Sequence, residues 1–188
     1  MANVNHSTLT DPYLHEPKGI GSAGTGTVYV ADGAGSGTWL EKTRFIGAYI
    51  AFDSVTPAYQ HSCTTSDTIL DPSFSIADSN GFSGEAIPNA RLKYTGTENI
   101  NVQIIFTISA KQVSGGDKDI EWSLWKNGVE LGGSRVVRTT PSGSWGSSSV
   151  YSFTELVTND YLEVKVKAEA NCTIDVASAF MSIMGSAH

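Results

Sequence analysis

The sequence is short of charge. Only 16% of its 188 residues are Asp, Glu, Lys or Arg, against 40% apolar, so the solvated surface must be built mainly from Ser, Thr, Asn and Gly. The charge present leans acidic, with a formal net of −7 at pH 7. Basic residues come as scattered pairs, Arg135/Arg138 and Lys165/Lys167 among them. Without a basic stripe, neither nucleic acid nor a membrane surface is an expected partner. Long hydrophobic runs are missing as well: nothing approaches the roughly 20 apolar residues of a membrane span. The polar start Met1-Ala-Asn-Val-Asn-His6 lacks the apolar core of a secretory signal, and synthesis in a cytoplasm is expected.

Cysteine is scarce, with Cys63 and Cys172 alone. Two thiols so far apart make no disulfide framework. They read as buried or free thiols, which behave as small hydrophobes; a Cys63–Cys172 bridge is the alternative.

Catalytic patterns are lacking too. The tract Gly21-Ser-Ala-Gly-Thr-Gly-Thr27 has no Lys-Ser/Thr after it and leads into no helix, unlike a phosphate loop. His61-Ser-Cys63 has no second ligand pair at metal spacing, and Asp117-Lys-Asp119 reads as a solvated turn before a calcium loop. Of four histidines, at 6, 15, 61 and 188, two lie near the termini, and no Gly-x-Ser-x-Gly run occurs. Glu155 and Glu163 read as outward strand residues rather than a glycosidase pair. No catalytic residue, metal or cofactor is expected.

What is present divides the chain in two. Residues 1–42 carry the Gly/Ser/Thr tracts 19–27 and 32–38 around one short apolar run, Val28-Tyr-Val30. Such a segment buries too little to fold alone. It nonetheless holds apolar anchors that a flexible linker would not need: Tyr13, Leu14, Val28, Tyr29, Val30 and Trp39, with Pro17 as a fixed bend. An extended docking arm is expected, its 40 or so residues reaching roughly 130 Å at most.

Residues 43–188 read as β throughout, with no helix. Ten strands are predicted, at 44–52, 58–63, 74–77, 90–94, 101–111, 120–126, 135–139, 150–157, 161–170 and 173–184. Val102, Ile104, Phe106 and Ile108 share one face, and so do Leu162, Val164, Val166 and Ala168. Lys126-Asn-Gly-Val129 is the strongest hairpin signal, because Asn-Gly supplies the positive φ values of a type I′ turn. Turns are also expected at 114–117, 80–81, 159–160 and 141–143. The fold class is all-β, an antiparallel sandwich of jelly-roll type.

The first and last of these strands are apolar on both faces. Phe45, Tyr49 and Ala51 oppose Ile46, Ala48, Ile50 and Phe52. Val176 and Phe180 oppose Ala177, Ala179, Met181 and Ile183. A sandwich strand normally shows one face to water, so these need a second cover, either another subunit or capping loops. A subunit interface is expected at Phe45, Tyr49, Phe52, Phe180, Met181 and Ile183.

Three elements carry a family likeness. Leu124-Trp-Lys-Asn-Gly-Val-Glu-Leu131, the run Glu155-Leu-Val-Thr-Asn-Asp-Tyr-Leu-Glu-Val-Lys-Val166 and the closing strand 174–184 resemble the C-terminal half of the trimeric TNF/C1q-like jelly roll of phage structural proteins. That resemblance implies a homotrimer whose first and last strands face a threefold axis. His15-Glu-Pro-Lys-Gly19 with the run from Val28 to Trp39 resembles the leader segments of phage fibre and head-decoration proteins. It implies a non-enzymatic virion protein, made in the host cytoplasm and held on the capsid surface by its arm, with the major capsid protein as partner. The rival is a tail-fibre or receptor-binding tip that takes a host-surface glycan. A secreted carbohydrate-binding sandwich is a third reading, but it leaves the arm unexplained. Trp125 falls on the face opposite Trp122 and Leu124, and Trp145 lies in a Ser/Gly loop; each reads either as a receptor or glycan contact or as a lid over the core.

Overall fold

Period-2 alternation in the long strands decides the layers. The computed structural model describes residue 24 and residues 27–31, 37–41, 44–54, 59–72, 74–85 and 91–187. It divides into two units, one up to Arg44 and one over Phe45–Ala187.

In the first unit β1 (Thr27–Ala31) and β2 (Gly37–Glu41) pair antiparallel, with Tyr29 opposite Trp39 and Val28 opposite Leu40. Tyr29 and Trp39 meet edge to face at 5.3 Å between ring centres. Val28, Val30 and Leu40 are exposed at 42%, 46% and 50%. Within the stretch read as an arm, the described residues therefore form a two-stranded ribbon with an aliphatic strip. Tyr13, Leu14 and Pro17 lie outside the described residues.

The second unit runs β3 (Arg44–Asp53), β4 (Tyr59–Cys63), β5 (Thr68–Ile69), β6 (Ser75–Asn80), β7 (Phe82–Glu85), β8 (Arg91–Tyr94), β9 (Ile100–Ser114), β10 (Lys118–Lys126), β11 (Val129–Glu130), β12 (Val136–Thr140), β13 (Gly146–Leu156), β14 (Tyr161–Ala168) and β15 (Cys172–Ala187). No helix occurs among the described residues. One sheet is ordered β13-β9-β15-β3-β6, with β4 also on β15. The other is ordered β11-β10-β14-β8-β7, with β12 on β10 and β5 on β14. Every described pairing between two of these strands is antiparallel.

The core lies between these sheets. From the first it takes Ile46, Ile50, Ile104, Phe106, Val150, Met181 and Ile183; from the second, Leu92, Trp122, Leu124, Leu162, Val164 and Val166. The predicted faces of β9 and β14 point inward as expected. The turn from β10 to β11 has φ of 51° at Asn127 and 77° at Gly128, the pair that a type I′ turn requires. Gly47 marks a close approach of β3 to β15: a Cβ there would sit 2.8 Å from the Ile183 carbonyl oxygen.

Candidate functional site

The two outer faces of the sandwich differ in chemistry. On the second sheet several outward residues are charged and paired, beside the exposed Val129 and Val137. Arg135 binds Glu130 through Nε and Nη2 at 3.0 and 2.6 Å and also bonds Glu121, which Lys167 approaches at 3.4 Å. Arg91 Nε donates to Glu163 at 2.7 Å and lies over the Tyr161 ring. Glu163, expected to point outward into water, is 1% exposed beneath that arginine. Glu155, exposed, stands on the other sheet, so the two carboxylates are not brought together.

The first sheet is the opposite case. Register sets its outward residues in rows: Phe153–Gln103–Met184, then Tyr151–Ile105–Ser182, then Ser149–Thr107–Phe180. The Tyr49 ring extends the last row, 5.3 Å from that of Phe180. Phe153, Tyr151, Met184 and Phe180 are 68%, 67%, 58% and 38% exposed, and none of the row positions carries a charge. At one end of this face Phe153, Met184, Asn101, Gln103 and Ser186, with the carboxylate of Glu155, line a groove of about 530 Å³. Exposed apolar side chains thus stand in three adjacent rows, among uncharged polar ones.

This geometry corrects the sequence expectation in three places. Met181 and Ile183 are 0% and 1% exposed within a single chain, and Phe52 packs against the same core. These three face the opposite sheet, leaving Tyr49 and Phe180 outward. The side chain of Phe45 lies outside the described residues. A bulge at Ala177 shifts the register of β15, so Val176 and Ala179 both turn inward and Val176 does not share a face with Phe180. Sequence reading missed Tyr151, Phe153 and Met184. Their signal was aromatic residues at 151 and 153 alternating with Val150 and Ser152, large apolar groups on the face away from the core.

The tryptophans fall elsewhere. Trp125 is half-buried, its Nε1 donating to Ser123 Oγ at 2.8 Å, with Lys165 Nζ 3.8 Å from its ring centre. Trp145 is 42% exposed, with Lys111 Nζ 4.8 Å from its ring centre. Asp117 and Asp119 each accept a protein hydrogen bond, from Ser142 N–H and the Thr139 hydroxyl. Among the described residues no group of three His, Cys, Asp or Glu side chains is placed to hold a metal.

At the edge of the sandwich His61 joins the two sheets. Its Nε2 meets Thr68 Oγ1 at 3.0 Å and its Nδ1 meets the Tyr59 hydroxyl at 3.1 Å, while Tyr59 donates to Asp71. Burial holds the imidazole below its ordinary pKa, against the pull of Asp71. Burial and Asp71 both push the Tyr59 phenol up.

No family model matches the chain, and no curated protein does. Among solved structures, that of Eiger TNF from S. frugiperda superposes with a TM-score of 0.51 at 13% identity, over 74% of this chain and 91% of that one. The fold is a TNF-like jelly roll. Murine APRIL at pH 5.0 aligns at TM-score 0.43 and 12% identity, covering 73% of this chain and 98% of its own. The PRD1 vertex protein P5 aligns at 0.41 and 16%, covering 75% and 95%.

Proposed function

We propose that the chain is a non-enzymatic structural subunit of a tailed-phage particle, a homotrimeric capsid-decoration or head-fibre protein. Three jelly rolls pack the outer faces of their first sheets around a threefold axis, and the residue 1–42 arms bind the major capsid protein on the virion surface. The observation that carries the trimer is that Tyr49, Phe180, Tyr151, Phe153 and Met184 stand in three uncharged rows of one face, set against the ion pairs on the other sheet. Water-exposed aromatics in such number gain most from burial against identical copies. The capsid assignment rests on the leader resemblance and on the aliphatic strip of Val28, Val30 and Leu40. Function then comes from buried arm area multiplied by valency.

The test is mass in solution. Phe153→Asp places a charge within the proposed contact and outside the monomer core, so the chain should sediment as a folded monomer where the parent sediments as a trimer. A parent that is monomeric at micromolar concentration, or a variant that stays trimeric, would reject the interface. The rival receptor-binding tip draws on the exposed Trp145 ring, but Lys111 already sits over that ring, and this reading ranks second.

A further inference from the structure

The two cysteines are distant in sequence and directly opposed across two paired strands. Cys63 ends β4, Cys172 opens β15, and the two face each other directly in the antiparallel register. Residues so opposed have Cα atoms roughly 4.5–5.5 Å apart, within the span that a disulfide bridges. Both side chains belong to the core, at 1% and 6% exposure, and both are free thiols. We propose that Cys63 and Cys172 form an oxidative modification site, closed to an intrachain disulfide by small disulfides of the oxidised-glutathione class.

The two thiols have different parts. Burial pushes Cys63 up to about 12, and the neighbouring Cys172 adds to this by its charge and hydrogen bond. Burial raises Cys172 also, but the hydrogen bond from Cys63 and the ammonium of Lys118 pull it back, against Glu169. Of the two, Cys172 is the less covered, at 6% exposure against 1%, and is the sulfur that an outside disulfide meets first. Cys172 lies beside the turn from β9 to β10, which passes it as bare backbone: a Cβ on Gly115 would come within 3.1 Å of the Cys172 Cβ.

Cys172 thiolate attacks one sulfur of oxidised glutathione, the S–S bond breaks, and glutathione thiolate leaves and takes up the proton that Cys172 released. Cys63 then loses its proton to solvent and its sulfur attacks that of Cys172. The protein disulfide forms, and the second glutathione departs as thiolate to be protonated. Two protein thiols are oxidised and one glutathione disulfide is reduced to two thiols. Because only thiolates attack, closure is slow at neutral pH and accelerates as pH rises. A chain made in a reducing compartment and later moved to an oxidising medium would gain the bond after folding. The bond would tie β4 to β15 and enclose every strand from β5 to β14 in one loop.

The full chain, kept native, is incubated in a graded series of reduced and oxidised glutathione, acid-quenched, denatured, alkylated and measured by intact mass and peptide mapping. The expected result is loss of both alkylation sites together, a mass lower by two hydrogens, and one peptide pair joining Cys63 to Cys172. Cys63→Ser should hold Cys172 as a lasting glutathione mixed disulfide, whereas Cys172→Ser should leave Cys63 reduced. Native parent chain that keeps both thiols in the most oxidising buffer, or crosslinks only between chains, would overturn the proposal even if neither variant folds.

Discussion

Asp160 holds the turn into β14 from three sides. Its Oδ2 accepts Val157 N–H at 2.9 Å and lies 3.5 Å from Lys126 Nζ, while its Oδ1 accepts Asn127 Nδ2 at 2.6 Å. Asn127 in turn accepts Tyr161 N–H at 3.0 Å, so the Asn-Gly hairpin and the Asn-Asp turn lock together. Burial by itself would raise the Asp160 pKa; the three partners outweigh it and hold the carboxyl below its usual range. The stability it brings is therefore present above the ordinary aspartate pKa and lost as pH falls through the depressed folded value. Asp160→Ala should cost about 1–2 kcal/mol in urea denaturation, since it removes the acceptor of the part-buried Val157 N–H and Asn127 amide bonds. His61 works in the other range. Thr68 donates to the Val166 carbonyl at 3.1 Å and Tyr59 to Asp71, so both hydroxyls that meet the His61 ring have their own protons committed elsewhere. A neutral, buried imidazole with a lowered pKa favours the fold above the unfolded value near 6.5, and that contribution falls away as pH drops through the folded one. The unfolding temperature should decline as pH falls below about 6.5. His61→Gln should flatten that slope; an unchanged slope would assign it to other groups.

At the scale of elements, β15 and β3 show what backbone proximity demands. Gly47 faces the Ile183 carbonyl so closely that any side chain must push the strands apart. Gly47→Ala should destabilise by about 1–3 kcal/mol, whereas Gly132→Ala, with open space around it, should be near neutral; equal effects in chemical denaturation would refute the steric account. All ten predicted strands of the second unit have a counterpart, because alternation and turn chemistry are local properties. The short β5, β7 and β11 were not predicted, as two to four residues are too few to show a period. The bulge at Ala177 was equally hidden, since an extra residue in one strand shows only against its partner.

For the whole molecule, the division at residues 42–43 remains a proposal about work shared between arm and jelly roll. Deleting residues 1–42 should leave the sedimentation of the proposed trimer intact and abolish binding to purified particles, measured by co-sedimentation. Undiminished binding would transfer the docking role to the jelly roll.

The sequence by itself determined the β character, the positions of the long strands, the turns at 127–128 and 159–160 and the inward faces of β9 and β14, each of which follows from neighbours along the chain. Only the tertiary structure decided which of two apolar faces is core. On β3 and β15 a period of two yields two faces without a sign, and the sign comes from the opposing sheet. That sheet takes in Ile46, Ile50, Met181 and Ile183, leaving Tyr49 and Phe180 beside Tyr151 and Phe153. The same holds for Glu163, buried by an arginine 72 positions away, and for two cysteines distant in sequence that register makes neighbours. Such pairings depend on strand order, and strand order is a property of the folded sheet rather than of any local stretch of chain.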